Sequence, residues 1–337
     1  MTYKYAVLGS GSWGTALANL LAINNNQVVI WGRDKELVNQ INTLHTNTKY
    51  LGDAKLSPNL KASDSLQEAI ADTDVILSVV PSKATEETIK KVAEVLGDKK
   101  IIIGHATKGL QPITNLRISE IIEKNLPEKN RSALFFVAGP SHAESVVKGE
   151  LTAISIAGNN QTVNTNIQND LSNNRMRVYA NSDLIGSEYA SAFKNVIAIA
   201  GGALNSAKLD SDNTMAALLT RSLGEMKKLA VSLGGKSDTL DGLVGLGDLI
   251  VTATSVNSRN YRAGQMLGLG KKIDQIEQDM GMVIEGFNSS LITHNIIEEK
   301  KLDLPIFESV YQLVYNNGEL VELIDQLMER PLKLESD

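Results

Sequence analysis

YAVLGSGSWGTALANLL, residues 5–21, decides how the rest of the chain is read. A short apolar run, Tyr5 to Leu8, leads into Gly9, Gly11 and Gly14, spaced G-x-G-x-x-G. Ala16, Leu17, Leu20 and Leu21 then recur at helical spacing. The first glycine of such a stretch permits the tight strand-to-helix turn, the second lets backbone approach a pyrophosphate, and the third lets helix and strand pack closely. Phosphates would lie on the helix N-terminus, where unpaired N–H groups and the helix dipole favour an anion. A strand before the motif and a helix after it are the context that separates a dinucleotide site from a merely structural glycine turn.

Working outward, Gln27 to Gly32 reads as a second strand, ending where a dinucleotide fold places the residue that reads the ribose. An acid there bonds a 2′-hydroxyl and an arginine accommodates a 2′-phosphate; Arg33 comes first and Asp34 second, an ambiguous pair with a tilt to NADPH. Asp74 to Val80 is a continuous apolar run of the kind buried in parallel sheets, followed by a helical pattern from Ala84 to Leu96. Strands are predicted at Lys100 to Gly104, Ala133 to Ala138, Leu151 to Ala157 and Arg177 to Tyr179, and a helix from Ile113 to Asn125. The alternation predicts a doubly wound, mostly parallel sheet, a Rossmann domain over 1–182. Ligands of such sheets bind beyond the carboxyl ends of the strands, so the loops to read are Gly9 to Gly14, Val80 to Ser82, Ala106 to Gly109 and Gly139 to Ala143.

Near Asn181 the pattern changes. Ser182 and Asp183 suit an N-cap, strand signals nearly vanish, and an all-α domain is predicted over 183–337. Its first helix, Leu184 to about Leu204, is apolar almost all round, as expected of a buried axis. Asparagine-rich patches at 24–26, 159–174 and 316–317 read as surface loops and helix ends.

Composition narrows the function classes. At 337 residues the chain suits two domains of ordinary size, and 42% hydrophobic with 21% charged residues places it among globular proteins. A net charge of −6 and a pI near 5.4 argue against a nucleic-acid partner. The absence of cysteine removes disulfides, thiol catalysis and cysteine metal sites; the four histidines show no ligand spacing, so no metal is expected. No signal-peptide pattern or membrane-length apolar run occurs, so a cytoplasmic location is expected.

The chemistry-bearing residues are few. Lys194 falls in the apolar AFKNVIAIAGG helix, where a lysine either snorkels outward or faces a polar site, and Asn195 beside it has polar valences of its own. Asp248 starts a helix after a glycine-rich run, either as an ordinary cap or as the countercharge of a buried lysine. Ser258, Arg259 and Asn260 open another helix, as a phosphate site of helix N–H groups and an arginine fork or as solvent-facing residues. Lys108 and Ser141 lie in loops at the ligand-binding end of the sheet.

GSGSWG at 9–14, WGR at 31–33, VVPS at 79–82, ATKGL at 106–110, GPSHAE at 139–144, FKNVIAIAGG at 193–202, GLGDLIVTATS at 245–255, SRNYRAG at 258–264 and VIEG at 283–286 together resemble the bacterial NAD(P)-dependent glycerol-3-phosphate dehydrogenases. The resemblance spans nearly the whole chain, in order. It implies reversible reduction of dihydroxyacetone phosphate to sn-glycerol 3-phosphate with NADH or NADPH, supplying glycerol phosphate for phospholipid synthesis, by a homodimer. It implies Lys194 as proton donor and acceptor, with Asp248 and Lys108 beside it in the reaction. It implies substrate contacts at Lys108, Gly139, Ser141, Asp248, Ser258, Arg259 and Asn260. Cofactor contacts are implied at Ser12, Trp13, Arg33, Lys108, Ala143, Arg259, Val283 and Glu285, besides the glycines Gly9, Gly11 and Gly14. Two departures stand out: FKN replaces the commoner L-K-N, with Tyr189 and Ser191 upstream, and GFNSS follows Ile284-Glu285 where a basic residue is more usual. Two alternatives remain open. Another β-hydroxyacid dehydrogenase would need no arginine-rich phosphate site, and a dinucleotide-sensing regulator would need neither Lys194 nor Asp248.

Arg33 generates the first prediction. Both cofactors should serve, and Arg33→Ala should weaken NADPH by about ten- to a hundredfold more than NADH, the worth of a charge-assisted hydrogen bond. Michaelis constants for the two cofactors decide it, and equal losses refute it.

Overall fold

The computed structural model describes residues 3–281, 283–332 and 334. Eight strands form its sheet: β1 (Lys4–Leu8), β2 (Gln27–Trp31), β3 (Lys61–Ser63), β4 (Val75–Ser78), β5 (Ile101–His105), β6 (Arg131–Ala138), β7 (Thr152–Gly158) and β8 (Met176–Asn181). Their order is β3-β2-β1-β4-β5-β6-β7-β8, and every neighbouring pair is parallel except β6 with β7. β3 was not among the predicted strands: KAS is short and half-exposed at the sheet edge, so it carries no apolar signal.

Alternation along the central strands sorts side chains onto two covered faces. Tyr5 and Val7 of β1, Val75 and Leu77 of β4 and Ile102 of β5 join one core, under α1 (Ser12–Ile23) and α8 (Gln161–Leu171). Ala6 and Leu8, Ile76, and Ile101 and Ile103 join the other, under α5 (Ser82–Leu96) and α6 (Ile118–Asn125). Such two-sided burial explains why these strands read as unbroken apolar runs. The other helices of this part are α2 (Lys35–Leu44), α3 (Thr48–Leu51), α4 (Leu66–Ile70) and α7 (Ala143–Val147).

The helix predicted from Ile113 begins only at Ile118. Gln111 Oε1 instead accepts from the backbone N–H groups of Ile113 and Thr114 and from the Thr114 hydroxyl, Asn115 turns left-handed, and Glu120 accepts from the Arg117 N–H to start the helix there. A side chain that takes the backbone donors competes with helix formation. The asparagine patches are also less superficial than expected, since Asn26 and Asn164 are buried with their amides on backbone carbonyls.

After Asn181 no strand occurs among the described residues. Helices follow: α9 (Leu184–Ser206), α10 (Asp212–Ser232), α11 (Asp248–Ala253), α12 (Arg259–Gly268), α13 (Ile273–Met280), α14 (Glu285–Lys300), α15 (Pro305–Tyr315) and α16 (Leu320–Met328). Asp183 does cap α9, accepting from the Gly186 N–H. Contacts divide the chain into two compact units, Met1–Ser191 with Asp238–Asp248, and Ala192–Ser237 with Leu249–Asp337. In the second unit α9 is the buried axis expected, with Ala192, Phe193, Val196, Ile197, Ala198 and Ile199 all inaccessible. It meets α12 backbone to backbone: a Cβ on Gly202 would fall 1.9 Å from the Tyr261 carbonyl oxygen, and one on Gly264 would fall 2.1 Å from that of Ile199. Phe193, the departure from L-K-N, packs edge-on to Phe307 at 5.8 Å, so the larger ring is absorbed as core.

Glu225 on α10 is a buried carboxylate with a structural task. It accepts from the Ile306 and Phe307 N–H groups at 3.0–3.1 Å and so satisfies the start of α15. Burial, outweighing those backbone bonds and reinforced by Asp303, pushes its pKa up from the ordinary 4.5 to about 7. The unfolded chain therefore loses this proton first as pH rises, and the group's contribution to stability declines between about pH 4.5 and 7 and is level above. Glu225→Gln removes the titration. Its stability relative to the parent should improve from pH 5 to pH 8 by on the order of 3 kcal/mol. Urea unfolding at several pH values measures this, and a constant difference contradicts it.

Candidate active site

In the first unit the glycine motif sits at the reversal of strand order, where β1 lies between β2 and β4. Gly9 has φ +118°, and a Cβ there would lie 2.8 Å from the Val79 carbonyl oxygen just beyond β4. A Cβ on Gly14 would lie 1.9 Å from the Gly9 oxygen, which fixes how tightly α1 folds back onto β1. Gly11 differs: nothing lies within 4 Å of its Cβ position, and it is the N-cap of α1 with no side chain bonded to the helix. Open space over unsatisfied helix N–H groups is what a pyrophosphate requires, so these residues fit a dinucleotide. Ser12 and Trp13 begin that helix, the indole N–H of Trp13 being buried without a partner, while Ala143 is buried at the start of α7.

At the end of β2 the ambiguity between Arg33 and Asp34 acquires a physical basis. Asp34 accepts from the Leu37 N–H as N-cap of α2 and pairs with Lys49 at 3.3 Å, whereas Arg33 is exposed. The carboxylate is engaged, and the guanidinium stands at the surface.

The loops after β5 and β6 bring together three residues singled out in the sequence. Lys108 Nζ donates to Asp248 Oδ2 at 3.0 Å and Oδ1 at 3.3 Å, and to the Gly139 carbonyl at 3.2 Å, which also accepts from the Ser141 hydroxyl. Asp248 is 1% exposed, so its charge requires this partner. The π-helical turn Leu243–Gly247 delivers it, with Gly245 tight against Leu240. Asp248 was expected as either a helix cap or the countercharge of Lys194; within the first unit it pairs with Lys108.

In the second unit Lys194 is 3% exposed and donates to Thr252 Oγ1 at 2.8 Å. The lysine is thus turned inward and does not snorkel. Sequence reading passed over Thr252, although its position four residues after Asp248 in α11 was a usable signal. Ser258 caps α12 by accepting from the Tyr261 N–H, which leaves Arg259 as the first helical residue. Asn260 donates to Asn195 Oδ1 at 3.0 Å and accepts from the Gly286 N–H at 2.9 Å, tying α9, α12 and α14 together. Val283 is exposed, and Glu285 opens α14. The GFNSS departure is accommodated there: Gly286 admits the close approach of Asn195 and Asn260, and Phe287, Ser289 and Ser290 are buried.

Two family models match, the N-terminus of NAD-dependent glycerol-3-phosphate dehydrogenase over residues 4–164 and its C-terminus over 183–325. The chain belongs to the NAD-dependent glycerol-3-phosphate dehydrogenase family. Among relatives named glycerol-3-phosphate dehydrogenase [NAD(P)+], one from Leuconostoc mesenteroides is 46% identical over 98% of this chain and 99% of its own, and one from Leuconostoc citreum is 48% identical over 98% of each. The crystal structure of glycerol-3-phosphate dehydrogenase from Coxiella burnetii superposes with a TM-score of 0.89 at 34% identity, covering 98% of this chain and 99% of that one. The predicted fold, a Rossmann-type sheet followed by helices, holds throughout this dehydrogenase family chain. No helix among the described residues is long and apolar enough to cross a membrane.

Gly11 separates fold from ligand. Its φ of −73° admits any residue and its Cβ position is open, so Gly11→Ala should leave the melting temperature within about 2 °C. NADH affinity should fall about tenfold or more, because the methyl group enters the space the pyrophosphate needs. Fluorescence titration against thermal unfolding tests this; undiminished binding would remove Gly11 from the cofactor site.

Proposed function

We propose that this chain catalyses the reversible reduction of dihydroxyacetone phosphate to sn-glycerol 3-phosphate with NADH or NADPH. The observation that carries the reading is a buried lysine, Lys194, bonded to a hydroxyl within an otherwise apolar helix, in a chain of this family. Gly9, Gly11, Gly14, Ser12 and Trp13 hold the dinucleotide, with Arg33 at its ribose, and Ala143, Val283 and Glu285 contribute further contacts. When bound, the nicotinamide supplies the hydride to the ketone carbon.

Lys194 donates a proton to the former carbonyl oxygen as negative charge develops on it, and takes the proton back in the oxidative direction. Ser258, Arg259 and Asn260 receive the phosphate at the α12 N-terminus, the arginine fork matching two of its oxygens. Lys108, held by Asp248, presents a second cation to the substrate, with Gly139 and Ser141 beside it. In this reading residues 1–182 serve chiefly the dinucleotide and 183–337 chiefly the substrate. A homodimer in the cytoplasm, supplying glycerol phosphate for phospholipid synthesis, belongs to the same reading.

Oxidation of NADH and NADPH with dihydroxyacetone phosphate, followed by absorbance, tests the activity directly; an unphosphorylated 2- or 3-keto acid turned over in its place would overturn it. Lys194→Met keeps much of the side-chain volume and removes the proton. Turnover should fall about 10²- to 10⁴-fold with cofactor affinity retained, the loss lying in kcat because the proton moves in the transition state. Near-normal kcat in the folded variant would take the role from Lys194.

A further inference from the structure

A second buried charge cluster lies in the first unit, apart from the groups assigned to binding or proton transfer. Glu188, on the first turns of α9, is 3% exposed. One of its oxygens accepts from the Ser119 N–H at 2.9 Å and lies 3.1 Å from His105 Nε2; the other accepts from Arg117 Nη1 at 2.9 Å and from the Ser119 hydroxyl. Burial alone would raise the pKa of such a carboxyl, but His105, Arg117 and Ser119 together hold it below the usual range. His105 is inaccessible and stacked on Phe136 at 4.6 Å.

The sequence positions of these partners give the cluster its meaning. His105 is the last residue of β5, and Arg117 and Ser119 start α6. The carboxylate therefore bonds the α6 end of the segment 106–116 and lies 3.1 Å from the imidazole at its β5 end, and that segment carries Lys108. Because Gln111 and Asn115 hold part of it in a turn, the segment gains no helical ladder of its own. Its path depends on where its two ends are fixed. Near its start, Ala106 and Thr107 bond to the carbonyls of Ser78 and Val80, which secures height above the sheet; the α6 end is held by Arg117 and Ser119 on Glu188.

We propose that Glu188 is a positioning residue for the reaction: by clamping His105 and the α6 N-terminus to one carboxylate, it sets the segment 106–116 so that the Lys108 ammonium meets Asp248 and Gly139. The inference rests on the role given to Lys108 under the proposed function. A displacement of about 1 Å at such a group can cost up to a hundredfold in rate.

The test is a double-mutant cycle on the full-length protein, with kcat and KM for dihydroxyacetone phosphate, NADH affinity by fluorescence, and circular dichroism to establish folding. Glu188→Gln should lower kcat/KM for dihydroxyacetone phosphate about tenfold with NADH affinity unchanged. Lys108→Ala should lower it further. The double variant should match Lys108→Ala within about twofold, because a residue that acts through Lys108 has nothing left to position. A purely structural role would instead give the same loss in both backgrounds, and that result, or unchanged kinetics in folded Glu188→Gln, overturns the proposal. Should Glu188→Gln fail to fold, Arg117→Met, at a side chain nearer the surface, should show the same dependence on Lys108 with a loss of about threefold; additive or absent effects there overturn it equally. Full activity in Lys108→Ala would overturn the role of Lys108 and this inference with it, whereas a strong Lys108→Ala defect with additive Glu188→Gln overturns the positioning alone.

Discussion

Backbone meeting backbone is the constraint on which both units depend. In the sheet unit, α1 can return against β1 only because Gly14 has no Cβ to strike the Gly9 carbonyl. In the helical unit, α9 and α12 approach each other only because Gly202 and Gly264 present bare backbone to Tyr261 and Ile199. Each contact replaces side-chain packing with direct adjacency, which leaves the backbone no room to shift closer. The first aims helix N–H groups at the open space over Gly11. The second fixes α12, and with it Arg259 and Asn260, against the helix that bears Lys194 and Asn195.

Buried charge is the second organising force, and its cost explains how specifically it is placed. An unpaired ion in such surroundings is destabilising by several kcal/mol, roughly, so each must meet its complement. Asp248 meets an ammonium, Glu188 meets a guanidinium, an imidazole and a helix start, and Glu225 meets a different helix start. The partners distinguish the roles. Glu188 is held below the usual range because an imidazole, a guanidinium and the Ser119 donors face it, whereas burial, reinforced by Asp303, pushes Glu225 up to about 7. One carboxylate is a permanent clamp, and the other titrates.

Much of this was legible in the sequence because its causes are local. The glycine motif, the apolar runs of β4 and β5 and the all-round apolar α9 are direct consequences of close approach and two-sided burial, and each was read to within a few residues. What escaped was decided by side chains acting on distant backbone. The start of α6 depends on Gln111 taking N–H groups that a helix would have used, and β3 depends on an edge pairing with β2 that three weakly apolar residues do not announce. The pairing of Lys108 with Asp248 could not be read either: a carboxylate after a glycine-rich turn signals that a cation will be needed, and nothing in spacing says that residue 108 supplies one. Glu188 was silent for a related reason, since one acid in a helix looks like solvent-facing charge until the topology brings His105 and Arg117 to it.

In the proposed reaction the two lysines do different work. Lys108 is shared between a carboxylate and the Gly139 carbonyl, both pure acceptors, which anchors the ammonium in place. There it would attract and orient the substrate. Lys194 donates to the Thr252 hydroxyl, which both accepts and donates. In the proposed reaction the same hydroxyl can turn its own hydrogen toward the amine once the proton has left. An acid that must give up a proton to a developing alkoxide and recover it in the reverse direction needs that kind of neighbour. In the proposed function proton transfer falls to Lys194, and Lys108 is the ammonium anchored between Asp248 and Gly139.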